Sequence, residues 1–271
     1  MSTPIGNLED ITFRAINILK GVSLIAAENV SHSKGLCRHY GINTRLTSYN
    51  QHNSKKRGPE LLRIIKQGSD VALISSAGTP AISDPGSYLI KLAVGEGVRV
   101  SPIPGPSAVI TALSVAGLRT DEFIFLGFLS NKSGARKKEL NELALETRTM
   151  VFYESPHRIR DMIQDVREIL GDRNMVLLRE MTKVFEEILR GSASSLLEEL
   201  DEERIKGECT LIVEGRQGKE DEFLLDPDLK MFIKDLLNEG RLSTKELSIL
   251  ISKVSNIPYR KIYKESVKLS E

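Results

Sequence analysis

Short apolar runs alternate with amphipathic stretches along most of this chain, and that alternation restricts its fold more than any other feature. Runs of strand character occupy residues 24–27, 71–74, 98–103, 123–129, 150–153, 175–178 and 210–213. Stretches of helical period lie between them, at 8–20, 59–66, 88–95, 106–116, 135–145, 156–170 and 193–203. Strands and helices in alternation build layered α/β domains, because each apolar sheet face needs a helix to cover it. The spacing changes at 117–121, where a helix, a Gly-containing connection and a new aromatic strand meet, which places a boundary between α/β domains at 1–117 and 118–215.

Beyond Gly215 the segment RQGKEDEF is charged and has no apolar period, so 216–225 reads as a linker. Residues 226–271 carry three short helical periods and no strand, a small helical C-terminal domain. Asp226 is placed to cap the first helix, Ser243 with Glu246 forms a capping box for the second, and Pro258 stands near the start of the third. Arg260, Lys261, Lys264 and Lys268 on the last helix read either as a solvated face or as a helix-turn-helix surface for nucleic acid.

Three Gly/Pro turns lead into helical stretches: TPIGN at 3–7, SSAGTP at 75–80 and IPGPS at 103–107. Loops at the carboxyl ends of strands in an open α/β sheet converge on a ligand crevice. Gly removes the side chain and Pro fixes φ, so such turns bring main-chain donors close to a ligand. Each alone is an ordinary connection; the three together predict a small-molecule site built from backbone.

Composition sets the outer limits. No apolar run of the 271 residues approaches the roughly 20 needed for a membrane helix, and nothing at the N-terminus resembles a signal peptide. Cys37 and Cys209 show no metal or disulfide spacing and read as reduced thiols of a cytoplasmic protein. His32, His39, His52 and His157 lack ligand spacing, so no metal is expected. The triphosphate and dinucleotide glycine fingerprints are missing. Net charge is +1, but 1–117 carries +5 and 118–215 carries −5, so a polyanion would lie on the first domain.

Further segments have chemical potential. AAENVSH places Glu28 and His32 at a strand end, and FLSNKSGARKK opens into Lys132, Arg136, Lys137 and Lys138. In FYESPHR, Ser155 reads as a helix cap and Pro156 as its first residue, so that Glu154, His157 and Arg158 face a crevice; REMTK adds Lys183. Singly, each reads equally well as surface pairing or capping.

These segments, with TPIGNLEDITFRA, SAGTPAISDPG, PIPGPSAVITALSVAGL, FLGFL and KGE in order, resemble the ribosomal RNA small-subunit methyltransferase I family of the tetrapyrrole methylase superfamily. The resemblance runs from Thr3 to about Gly215, and the helical tail is similar to that family's C-terminal domain. It implies two α/β domains of the tetrapyrrole methylase type with the cofactor cleft between them. It also implies a homodimer that uses S-adenosylmethionine to 2′-O-methylate a cytidine ribose in the decoding centre of 16S rRNA.

By matching position, the cofactor would touch Pro4, Gly6 and Asn7; Ser76, Ala77, Gly78, Thr79, Pro80 and Ser83; Pro104, Gly105, Pro106 and Ser107; and Gly127 and Phe128. Candidates for proton acceptance or nucleotide positioning are Glu28, His32, Glu154 and His157; those for RNA phosphate are Lys132, Arg136, Lys137, Lys138, Arg158 and Lys183. The chain departs from the family pattern at Ser76, where an Asp is usual, at 29–33, and at Ser130, where a Pro is usual. Only Met1 and Ser2 precede the TPIGN turn, where the family has an apolar strand. Either the start is trimmed or misassigned, or the first sheet lacks a central strand. A tetrapyrrole C-methyltransferase and an RNA-binding relative with weakened catalysis are the competing expectations.

Overall fold

The computed structural model describes residues 1–200, 207–217, 226–238, 242–255, 257 and 259–270. Most of the expected linker, the end of the expected helix at 193–203, Pro258, and the side chains of Arg260, Lys261 and Lys264 lie outside what is described. Residues 1–216 form one compact unit holding two sheets, and 217–271 form a second.

The first part of the larger unit comprises α1 (Phe13–Gly21), β1 (Leu24–Ala27), α2 (Val30–His39), β2 (Leu46–Ser48), α3 (Ser54–Lys66), β3 (Val71–Ile74), α4 (Ser87–Gly95) and α5 (Ala108–Ala116). Its three strands are parallel in the order β2-β1-β3. Helices cover both faces, so successive side chains of β1 are all buried. Ile25 and Ala27 pack with Leu19 and Leu36 from α1 and α2, while Leu24 and Ala26 pack with Leu61 and Leu89 from α3 and α4. The expected helix at 8–20 is broken: a 3-10 turn at Leu8–Asp10 precedes α1, whose N–H at Ala15 is capped by Thr12 Oγ1 at 3.1 Å.

Residues 98–103 do not form the expected strand. A strand persists only where its main-chain groups meet a partner, and this segment and β3 each bond to the first two residues rather than to each other. The Met1 ammonium donates to the Leu73 carbonyl (2.9 Å) and Ser2 N–H donates to the Ile103 carbonyl (3.3 Å).

The second part comprises β4 (Phe123–Gly127), α6 (Ser133–Glu142), β5 (Thr149–Glu154), α7 (Ile159–Leu170), β6 (Asn174–Arg179), β7 (Glu187–Ser192), α8 (Ala193–Glu199) and β8 (Cys209–Val213). Its sheet runs β4-β5-β8-β6-β7, parallel between β4 and β5 and antiparallel elsewhere. Met150 and Phe152 point to a core closed by Met162, Ile163 and Leu196 from α7 and α8. Val151, Val176 and Ile212 point the other way, onto Val109, Ala112 and Leu113 of α5 and onto Ile5 of the first turn. Elements from the first half of the chain thus supply the lid of the second sheet, and the segments between the sheets are brought to one place.

In the smaller unit, α9 (Pro227–Asn238), α10 (Thr244–Ser255) and α11 (Tyr259–Ser270) bury Ile233, Leu247, Ile251 and Ile262. The capping box is formed: Ser243 N–H donates to Glu246 Oε2 (3.0 Å), and Glu246 N–H donates to Ser243 Oγ (3.3 Å). Lys268 is tied to Glu265 at 2.8 Å.

Candidate active site

The three Gly/Pro turns are clasped to one another by main-chain and hydroxyl bonds. Thr3 N–H donates to the Gly78 carbonyl (2.9 Å), and Gly78 N–H donates back to Thr3 (3.0 Å). Thr79 Oγ1 donates to the Pro106 carbonyl (3.2 Å) and sits 2.8 Å from Ser2 Oγ. Gly78 has φ +69°, a left-handed backbone that suits glycine. Gly6 has room for no side chain: a Cβ there would come within 2.5 Å of Thr182 Oγ1, and Asn7 N–H donates to that same hydroxyl (3.0 Å).

Beside this clasp is a cavity of 460 Å³, within the range of small-molecule sites. Of the residues the resemblance places at the cofactor, Ser76, Ala77, Gly78, Thr79, Ser83, Ser107 and Phe128 line it. Pro4, Gly6, Asn7, Pro80, Pro104, Gly105, Pro106 and Gly127 do not; they hold its walls instead. Gly105 lets Ser2 approach closely, the Pro106 carbonyl anchors Thr79, and Gly127, at φ +64°, leaves space for Ser83 Oγ. Pro4 lies on a second cavity described below.

Carboxylates mark the cavity's chemistry. Glu28, Asp84, Glu154 and Glu208 all line it. Glu28 Oε2 accepts the Ser76 N–H (2.9 Å), so the main chain of Ser76 holds the acid in place. Glu154 has a fully buried side chain; its Oε2 lies 3.0 Å from the Arg158 guanidinium without an aligned hydrogen bond. We read this as an ion pair rather than an orphaned charge, because opposite charges at that distance attract whatever the angle. Glu208 pairs with Lys183 at 3.0 Å. Glu28 and Asp84 have no cation partner among the described residues. Burial, and then the charge of Glu28, push the Asp84 carboxyl up to about 6. Burial and the charge of Asp84 push Tyr153 up to about 12, and burial does the same to the Cys209 thiol. The two cysteines are buried and free.

Ala81, Ser83, Glu180 and Thr182 are non-glycine residues at positive φ, from 50° to 71°, all in the loops at 79–86 and 180–183 that border the cavity. Sparsely populated backbone of this kind is retained where surrounding contacts enforce it, and it concentrates at functional sites. Phe128, 58% exposed, offers a ring at the mouth, 5.6 Å from Tyr153.

The other candidates scatter. His157 is exposed and lines neither cavity. The expected helix start at Ser155 and Pro156 is a turn, in which Arg158 N–H donates to the Ser155 carbonyl (3.1 Å), and α7 begins three residues later. Arg158 is committed to Glu154 and to the Leu129 and Ser130 carbonyls. Arg136 is turned inward, 3% exposed, and its Nε donates to Asp165 (2.7 Å). Lys137 pairs with Glu168 (2.7 Å), and Lys183 with Glu180 and Glu208. Only Lys132 and Lys138 of the expected phosphate contacts remain exposed without an ion pair among the described residues. The basic appearance of 132–138 reflects helix anchoring, since its central cations neutralise acids on α7.

Asp84, Glu208 and Tyr153 were not singled out by the sequence. Asp84 stands within PAISDPG, where an Asp before Pro reads as a turn former. Glu208 reaches the cavity only through strand pairing of β8 with β5 and β6.

A small-molecule cavity walled by strand-end loops and carboxylates thus lies at the junction of a parallel and a mixed sheet. The family of Tetrapyrrole (Corrin/Porphyrin) Methylases matches residues 2–197. The fold is also that of cobalt precorrin-4 methyltransferase, with a TM-score of 0.59 at 17% identity over 76% of this chain and 89% of that one. Ribosomal RNA small subunit methyltransferase I of Bacillus subtilis (strain 168) is 40% identical over 96% of this chain and 90% of its own length. The protein of that name in Escherichia coli O157:H7 is 42% identical over 97% and 91%. The chain belongs to the ribosomal RNA small subunit methyltransferase I family, within the tetrapyrrole methylases, and is a methyltransferase.

Proposed function

We propose that this enzyme uses S-adenosylmethionine to methylate the 2′-hydroxyl of a cytidine ribose in the decoding centre of 16S rRNA, in the small ribosomal subunit. It would act in the cytoplasm as a homodimer. Among the described residues no helix is long and apolar enough to cross a membrane. The observation that carries the reading is the carboxylate-walled cavity clasped by the TPIGN, SAGTP and PGPS turns, in a chain of this family.

The cavity fits the donor's chemistry. S-adenosylmethionine supplies an electrophilic methyl on a sulfonium, and it carries an ammonium besides. Glu28 and Asp84, which have no cation partner among the described residues, give the wall a negative field that suits both charges, while main-chain groups of 76–79 and the Phe128 ring suit its neutral parts. This attraction is greatest before transfer, when the positive charge is still localised, so the acids contribute to donor binding more than to the rate of the step.

Positioning dominates the rate: holding oxygen, carbon and sulfur in line supplies on the order of 7–11 kcal/mol, whereas a general base adds about 10²–10⁴-fold. Asp84 is the group we assign to accept the acceptor proton. It lines the cavity, sits in the loop with positive φ, and titrates near neutrality, where a base is both unprotonated and strong. Glu28 sustains that basicity by its charge.

Transfer of radiolabelled methyl from S-adenosylmethionine to unmethylated small subunits tests the reading. Label at a cytidine 2′-oxygen is the expected result. Label on a tetrapyrrole acceptor instead, or donor binding without transfer to either, would overturn it.

A further inference from the structure

The second cavity, of 510 Å³, is lined by the outer face of α2 and by Thr3, Pro4, Ser75 and Ser76. We propose that it holds a phosphate of the RNA acceptor strand, on the far side of Ser76 from the methyl donor. This rests on the reading of the chain as an RNA methyltransferase.

Charge sorting is the first argument. No carboxylate lines this cavity among the described residues, whereas four line its neighbour. The polar side chains that line it include His32, Arg38 and His39, beside Leu8, Gly35 and Leu36. The Thr3 and Ser75 hydroxyls donate to main-chain carbonyls, so the guanidinium is the donor that suits phosphate oxygens.

Helical geometry is the second. Asn29 caps α2 by accepting the His32 N–H (3.1 Å), which fixes the helix start at the strand end. His32, Gly35, Leu36 and His39 then follow at i, i+3, i+4 and i+7 and share one face. A Cβ at Gly35 would meet nothing within 4 Å, so the middle of this face is open to a ligand.

Charge accounting is the third. Arg136, Lys137, Arg158 and Lys183 are neutralised by Asp165, Glu168, Glu154 and Glu208. Arg38 is exposed and has no ion pair among the described residues, in the part of the chain that carries the positive excess. Finally, Ser76 belongs to both cavities, so a nucleotide held by phosphate on one side lies next to the donor on the other.

The test is fluorescence anisotropy of a labelled single-stranded RNA of decoding-centre sequence, titrated with the full chain at several salt concentrations. Arg38→Glu is compared with wild type and with Lys20→Glu, an exposed lysine that lines neither cavity, as a control. Arg38→Glu is expected to bind about tenfold more weakly, with a salt slope shallower by about 1, while Lys20→Glu follows wild type. Calorimetry with S-adenosylmethionine should give wild-type affinity for Arg38→Glu, which excludes misfolding as the cause. Wild-type RNA affinity and slope in Arg38→Glu would overturn the inference alone. If the wild-type chain bound neither this RNA nor small subunits, the inference and the functional reading would fall together.

Discussion

Two cavities meet at Ser76 and differ in the charged groups that line them: carboxylates on one side, a guanidinium and no carboxylate among the described residues on the other. They share the strand-end loop at 75–76, but loops build most of the first and helix α2 most of the second. The difference teaches that the fold provides hollows along one edge and that a few residues decide which partner each receives. Glu28 at the end of β1 faces the acidic hollow; His32, one helical turn on, faces the other.

Substitutions test this contrast, from the largest effect to the smallest. Asp84→Asn should slow single-turnover methyl transfer by about 10²-fold or more and remove the loss of rate that the wild type shows below about pH 6. Glu28→Gln should keep that loss but move it to lower pH, because removing a neighbouring negative charge favours the ionised Asp84. A wild-type pH–rate profile in Asp84→Asn would remove Asp84 from the mechanism.

The basic stretch at 132–138 gives a contrasting prediction. Arg136→Ala should destabilise the protein by about 3–5 kcal/mol, measured by urea unfolding, because it leaves Asp165 buried without its partner. A solvated phosphate-binding arginine would cost almost nothing. Gly78→Val should weaken calorimetric affinity for S-adenosylmethionine by about 10–100-fold, since strain of roughly 1–3 kcal/mol at φ +69° loosens the clasp with Thr3.

Asp84 also links pH to stability. Its value in the folded protein, about 6, lies above the roughly 3.9 of an unfolded aspartate, so folding favours its protonated form. Its contribution is present below about pH 4 and is lost as pH rises toward 6. Melting curves of Asp84→Asn against wild type should therefore diverge with rising pH in that window, the variant being the more stable above it.

Much of this was legible from residues alone. The strands β1 and β3 coincide with their apolar runs, because parallel strands buried on both faces have no polar positions to blur them. Residues 98–103 have the same texture and form no strand, since texture reports apolarity and not the presence of a partner. The edge strand β7, EILRGS, is partly exposed and carries charges, so it gave no such signal. At the site, glycine and proline betrayed Gly78 and Thr79 because backbone geometry demands those residue types. Asp84 and Glu208 escaped because a carboxylate's role depends on what the fold places beside it, and Arg136 misled because charge in a sequence does not say which way a side chain turns.

The central claim is that separate bends of the chain enclose the methyl donor among carboxylates. A crystal structure of the full chain with S-adenosylhomocysteine tests it most directly. The account predicts the ligand against Ser76, Gly78, Ser107 and Phe128, with its ammonium toward the acidic wall. Ligand density in the cavity of His32 and Arg38, or elsewhere on the molecule, would contradict it.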